Sequence, residues 1–122
     1  MKKAFFLLIS ALLLLNGCSK KETNDAVLIR VKNASTLNFT NVYVNTSGGE
    51  NNYGDLAAGQ ISEYKEFTYA YPYAYVRFEI DGQTRQLQPI DYVGESLLDN
   101  GKYTYELTVD PANGNVGLML TE

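Results

Sequence analysis

Tyr73-Ala74-Tyr75-Val76-Arg77-Phe78-Glu79-Ile80, then Asp81-Gly82, then Gln83-Thr84-Arg85-Gln86-Leu87 is the stretch that decides the fold. Ala74, Val76, Phe78 and Ile80 occupy alternate positions, and Tyr73, Tyr75, Arg77 and Glu79 fill the gaps. A period of two sends the two sets to opposite faces of a strand. Asp81-Gly82 suits a two-residue type I′ turn, whose central residues both need positive φ. Counting through that turn sets Val76 opposite Leu87 and Phe78 opposite Arg85. The second pairing aims a charged side chain at the core. The expectation is that Arg85 leans out past the sheet edge, or that the loop is longer.

The alternation recurs in both directions. Val27, Ile29 and Val31 oppose Leu28, Arg30 and Lys32. Val42 and Val44 flank Tyr43. Tyr103, Tyr105, Leu107 and Val109 alternate with Lys102, Thr104, Glu106 and Thr108, and Val116, Leu118 and Leu120 with Gly117, Met119 and Thr121. Each run reads as a strand with one buried and one wet face. Weaker strands are expected near 60–67 and 84–90. Asn100-Gly101 and Asn113-Gly114 mark turns, Pro72 separates two strands because it cannot donate in a central ladder, and Ser47–Gly54 reads as the longest loop. Only Ile90–Leu98 offers a helical turn. The expectation is therefore an all-β chain: one antiparallel sandwich of about seven strands over residues 26–122. Its core should hold Val27, Ile29, Val31, Val76, Phe78, Ile80, Tyr103, Tyr105, Leu107, Leu118 and Leu120.

The N-terminus is a processing signal rather than part of the fold. Met1-Lys2-Lys3 is a positive segment, and Ala4–Leu15 an apolar run broken only by Ser10. The run is shorter than the ~20 residues of a membrane span and fits the apolar region of a secretory signal. It ends at Leu15-Asn16-Gly17-Cys18, which holds the chain's single cysteine. Here the chain resembles bacterial lipoproteins, whose lipobox is an apolar residue, a variable residue, a small residue and Cys. The resemblance implies removal of residues 1–17, a diacylglyceryl thioether on Cys18 and acylation of the new amino group. Two or more chains make such an anchor stable. Ser19, where an Asp would favour inner-membrane retention, implies the outer membrane of a Gram-negative envelope. Residues 18–25 then form a short polar tether. Without lipidation, the chain would be a secreted protein with a spare thiol or carry an uncleaved anchor.

Charge and composition narrow the function. Residues 1–17 hold Lys2 and Lys3 of the 10 Lys+Arg and none of the 14 Asp+Glu, so the chain from Cys18 onward carries a net charge of about −6. An acidic domain argues against nucleic acid as a partner, and its charge should keep it off anionic membrane surfaces. The chain has no histidine, which removes the commonest general base and transition-metal ligand. Glu63 with Glu66, and Asp91 with Glu95, are carboxylates close in sequence, with Asp99 and Asp110 alone; all read as turn or wet-face residues. Glu50, Asn51, Asn52 and Asp55, like Asp110, Asn113 and Asn115, are oxygen donors without EF-hand spacing and read as turn residues. No catalytic residue, metal or cofactor is expected.

Gly101-Lys102-Tyr103-Thr104-Tyr105 resembles the opening of a penultimate strand in immunoglobulin-like (Ig-like) folds, where a tyrosine at the Tyr103 position bonds back to upstream backbone. Together with Ile29-Arg30-Val31-Lys32-Asn33-Ala34 and Ser62-Glu63-Tyr64, it makes the chain similar to small Bacteroidota-type lipoproteins of unknown function with an Ig-like β-sandwich. That resemblance implies a fold and brings no active site.

Ten tyrosines and no tryptophan are the compositional oddity. Tyr69, Tyr71, Tyr73 and Tyr75 recur at every second position. Tyr71, Tyr73 and Tyr75, beside Arg77, are the candidate ligand face, since tyrosine joins apolar area to a polar tip. The alternative is cross-strand packing on a solvated sheet. The functional expectation is a non-enzymatic envelope lipoprotein, held to the bilayer by acylated Cys18, that binds an envelope or host protein. The second candidate is a glycan-binding module using the tyrosine face.

Overall fold

The computed structural model describes residues 26–89 and 95–122. Cys18, the signal segment 1–17 and the tether up to residue 25 lie outside the described residues. So does 90–94 of the expected helical turn, whose remaining residues 95–98 are not helical. Eight strands follow in order: β1 (Val27–Asn33), β2 (Phe39–Asn45), β3 (Glu50–Leu56), β4 (Lys65–Phe67), β5 (Tyr75–Ile80), β6 (Gln83–Leu87), β7 (Gly101–Val109) and β8 (Val116–Thr121). They form two four-stranded sheets, ordered β4-β1-β7-β8 and β3-β2-β5-β6.

The inward set of each strand builds one core. Val27, Ile29 and Val31 of β1, with Tyr105 and Leu107 of the neighbouring β7, face Val42 and Val44 of β2 and Val76 and Phe78 of β5, all essentially without solvent exposure. β-branched and aromatic residues suit such half-buried pleated surfaces. Phe39 and Phe78 stack with ring centroids 3.9 Å apart. Tyr103, Leu118 and Leu120, expected in the core, are only partly buried and pack against it. Leu118 and Leu120 sit on β8, an edge strand with one neighbour.

The hairpin at Asp81-Gly82 has the deduced register, with Ile80 opposite Gln83, Val76 opposite Leu87 and Phe78 opposite Arg85. Asp81 (φ 51°) and Gly82 (φ 79°) supply the two positive φ values. Arg85 does not lean out, and the loop is not longer. Its guanidinium crosses to the β7–β8 turn, where a Cβ on Gly114 would come within 2.7 Å of Arg85 Nη1. Arg85 Nε is buried there without a hydrogen-bond partner.

Four expectations need correction. The sandwich is not wholly antiparallel: β1 and β7 run parallel, Val27 beside Gly101 through to Asn33 beside Leu107. Alternation reports which face is buried, not the direction of the neighbour. The 47–54 loop is mostly strand: β3 pairs with β2 from Glu50 to Leu56. It is a polar edge strand anchored by Tyr53 and Leu56, and a register shift between these two hides the alternation. The 60–67 strand shrinks to β4 plus a bridge between Ile61 and Lys32. Between them the Ser62 hydroxyl, not a ladder carbonyl, accepts from Val31 N at 2.9 Å. Finally, Tyr73 lies in a bend after Pro72, and the strand starts at Tyr75.

Tyrosine hydroxyls tie the elements together. Tyr53 of β3 donates to the Ile29 carbonyl of β1 at 2.7 Å, across the two sheets. Tyr105 of β7 donates to the Tyr71 carbonyl at 2.7 Å, and Tyr103 to the Asp99 carbonyl at 2.8 Å. Burial pushes the Tyr53 phenol far above its usual value. Burial, then the charges of Asp99 and Glu122, raise that of Tyr103. Asn33, fully buried, is saturated: Nδ2 donates to the carbonyls of Leu37 and Leu56, and Oδ1 accepts from Ser35 N and Oγ.

Candidate functional site

The outer face of the β3-β2-β5-β6 sheet carries the candidate site. Tyr43 lies between Val42 and Val44, so its side chain points outward when theirs point in. The β2–β5 register sets Tyr43 beside Arg77 and Asn45 beside Tyr75. The Tyr43 and Tyr75 rings meet edge to face, centroids 6.0 Å apart and planes at 70°. The Arg77 guanidinium sits over the Tyr43 ring at 4.7 Å, a cation–π contact of moderate strength at a surface.

Both phenol tips are held. Tyr43 OH donates to Glu50 Oε1 of β3 and accepts from Asn45 Nδ2 at 3.2 Å. Tyr75 OH donates to Gln86 Oε1 of β6 at 3.0 Å. The bond to Glu50 raises the Tyr43 phenol above its usual value, against the opposing effects of Asn45 and Arg77. The result is a preorganised cluster spanning four strands, with Arg77 exposed at its centre. Around it Glu50 and Asp55 are exposed and Glu79 partly so; Asn41 Nδ2 donates to Glu79 Oε1 at 3.3 Å.

The expected row of Tyr71, Tyr73, Tyr75 and Arg77 divides. Tyr75 and Arg77 share the face. Tyr71 instead places its ring 6.2 Å from that of Tyr69, nearly perpendicular, and Tyr73 belongs to the bend before β5. Tyr43 takes their place. Its position between two inward valines was the available signal, but a neighbour on another strand is invisible without the register.

The opposite outer face, on the β4-β1-β7-β8 sheet, holds a second aromatic–cation group. Arg30 of β1 lies 4.9 Å from the centroid of the Tyr64 ring, and the Lys102 ammonium of β7 lies 5.4 Å from it. Arg30 Nε donates to Thr104 Oγ1 at 3.0 Å. Thr104 is 4% exposed although it points away from the core.

A third feature is an open cleft of about 260 Å³ where the edge strand β3 faces the segment leading into β4. Tyr53, Leu56 and Ile61 wall it, with Asp55, Glu63 and Lys65 at its polar rim. Asp55 is engaged, since Oδ1 accepts from Asn41 N at 3.1 Å. Among the described residues no group of three or more His, Cys, Asp or Glu is placed to hold a metal ion. The two oxygen-rich groups spend their side chains on protein partners: Asn51 Nδ2 donates to the Glu66 carbonyl of β4, while in the β7–β8 turn Asp110 Oδ1 accepts from Ala112 N and Asn113 Oδ1 from Asn115 N. Glu63 and Glu66 flank Tyr64, while Asp91 lies outside the described residues.

No family model matches the chain, and no curated protein does. Among solved structures it is similar to a protein from Eubacterium rectale determined by NMR, with a TM-score of 0.60 at 15% identity. The match covers 84% of this chain and 94% of that one, a likeness of fold alone.

Proposed function

We propose that this protein is a non-enzymatic, membrane-anchored lipoprotein of the cell envelope that presents an Ig-like β-sandwich to a protein partner. One observation carries the anchor: the apolar run ends in Leu15-Asn16-Gly17-Cys18, and Cys18 is the chain's single cysteine. Residues 1–17 are removed, Cys18 is acylated, and the absence of a retaining Asp at Ser19 favours the outer membrane of a Gram-negative host. The Ig-like reading is supported by the Tyr103 hydroxyl, which bonds back to the Asp99 carbonyl. The anchor is tested with Cys18→Ala, which should block lipid labelling and accumulate precursor. An unmodified mature N-terminus downstream of Cys18, found by mass spectrometry, refutes it.

The partner class rests on the Tyr43–Tyr75–Arg77 cluster. A pyranose stacks on an open aromatic face, but Arg77 lies over the Tyr43 ring and the second ring is tilted by 70°. Rigid tyrosines around an exposed arginine are instead the composition of a protein-binding hot spot. A Tyr43→Ser, Tyr75→Ser variant that stays folded should lose its envelope partner in crosslinking on intact cells. The glycan reading keeps one point in its favour, the polar rim of Glu50, Asn45 and Gln86. Glycan-array binding that the same double variant abolishes would establish it instead.

A further inference from the structure

The two outer faces differ in charge. The face of β3-β2-β5-β6 sets Arg77 among Glu50, Asp55 and Glu79, whereas the face of β4-β1-β7-β8 sets Arg30, Lys32 and Lys102 against Glu66 and Glu106. The registers place these groups: Glu66 beside Leu28, Leu28 beside Lys102, Arg30 beside Thr104, Lys32 beside Glu106 and Glu106 beside Met119. Glu106 therefore faces Lys32, while Arg30 and Lys102 converge on Tyr64, a residue 36% exposed with Glu63 and Glu66 close to it in sequence. Arg30 bonds through Nε to a hydroxyl, and its outer guanidinium edge remains available for an anion. Met119, 62% exposed, stands on the same face.

The place of this cluster in the chain matters as much as its charge. Gly101 N donates to the Ala26 carbonyl at 3.3 Å. Lys102 is thus beside the point at which residues 18–25 leave the domain. Fully extended, those eight residues reach only ~26 Å. They bring Lys20 and Lys21, offset by Glu22 and Asp25.

We propose that Arg30, Tyr64 and Lys102 bind the phosphate of an anionic lipid headgroup, so that the tethered domain rests on its own membrane with the β4-β1-β7-β8 face down. This rests on the anchored reading above. Guanidinium and ammonium groups both bind phosphate, the first in a planar fork and the second as a point charge. Tyr64, close to both cations, adds a ring of the kind that sits at membrane interfaces. The acidic opposite face is repelled by the same surface. Orientation therefore comes from charge asymmetry, although the net charge opposes adsorption. The Tyr43–Tyr75–Arg77 cluster then points away from the bilayer.

The test uses the full acylated protein in nanodiscs of phosphatidylcholine, alone or mixed with phosphatidylglycerol, with a gadolinium chelate on a lipid headgroup. In phosphatidylglycerol discs the amide signals of β1 and β7 should broaden more than those of β2 and β5. Lys102→Gln should weaken this bias and Arg30→Gln with Lys102→Gln should abolish it, the acyl mass on Cys18 being unchanged. Lys102→Gln alone guards against a folding effect, since Lys102 is exposed. Equal broadening of the two sheets, a bias that survives the double variant, or the same bias in pure phosphatidylcholine overturns the proposal. A second arm separates it from the anchor. The purified chain, acylated or not, is titrated with short-chain phosphatidylglycerol below its micelle concentration, and with inorganic phosphate. Shifts at Arg30, Tyr64 and Lys102 with the lipid, lost in the Arg30→Gln, Lys102→Gln double variant, support the site even if Cys18 proves unacylated. Equal saturation by inorganic phosphate, or no shift in a protein that is acylated, sinks the site and leaves the anchor standing.

Discussion

The abundance of tyrosine finds its explanation one hydroxyl at a time. Tyr53, Tyr103 and Tyr105 each spend a phenol on a backbone carbonyl of another segment, and Tyr43 and Tyr75 spend theirs on neighbouring strands. The sequence shows the tyrosines but not these bonds, because a carbonyl acceptor leaves no mark on residue type. Only the Tyr103 bond is anticipated, through the resemblance of its strand opening to Ig-like folds. Tyr103→Phe should cost about 1 kcal/mol, seen as a lower denaturation midpoint at unchanged slope. Tyr53 carries a pH dependence. Its folded phenol ionises far above the usual value of 10.0, so folding favours the protonated form. That stability is complete below about pH 10 and falls as pH rises beyond it, where the unfolded chain loses the proton first. Tyr43 and Tyr103 shift the same way. Stability measured between pH 8 and 11 should therefore decline, and Tyr53→Phe should flatten the decline while lowering stability at pH 8 by about 1 kcal/mol, since it removes the buried bond from the Tyr53 hydroxyl to the Ile29 carbonyl.

Elements were legible where local chemistry decides them. The β5–β6 hairpin follows from alternation and one dipeptide, down to its register. The strand β3 does not, because Glu50-Asn51-Asn52 looks like loop and becomes strand only by pairing with β2 along a wet edge. Ser62 explains the shortened β4 in the same way, by a side-chain bond that replaces a ladder bond. Two glycines separate local strain from tertiary fit. At Gly82 a Cβ meets nothing within 4 Å, so Gly82→Ala should cost only the left-handed backbone penalty, about 1–2 kcal/mol. Gly48 needs no such conformation, but its Cβ would lie 2.3 Å from the Tyr69 carbonyl oxygen. Backbone on backbone cannot turn aside. Gly48→Ala should cost more than Gly82→Ala in parallel denaturant titrations, and the reverse order would show that the bridge between Gly48 and Tyr69 yields easily.

For the whole molecule, the period of two sufficed to give a sandwich, and most of the expected core residues are buried. Phe78, stacked on Phe39, is its centre, and Phe78→Ala should cost about 2–5 kcal/mol in equilibrium unfolding, much of the stability of an ordinary domain. The candidate face was half legible. Tyr75 and Arg77 come from one strand, whereas Tyr43 and Glu50 join them only through sheet order, which alternation does not encode. The same limit concealed the parallel pairing of β1 with β7, and that pairing governs how the chain acquires its shape. Arg30 and Thr104 are bonded across 74 positions, so the first strand of the domain waits for the seventh. The β5–β6 hairpin closes locally, but the sheet around β1 requires a long loop to be closed first. High contact order of this kind gives folding in milliseconds to seconds rather than microseconds. A chain delivered from its N-terminus can pair β1 with β4 on one side but leaves its other edge open until β7 arrives. The earliest strand is enclosed on both sides only when the seventh is made, and the interval before that closure is when the polypeptide is most open to chaperones and proteases.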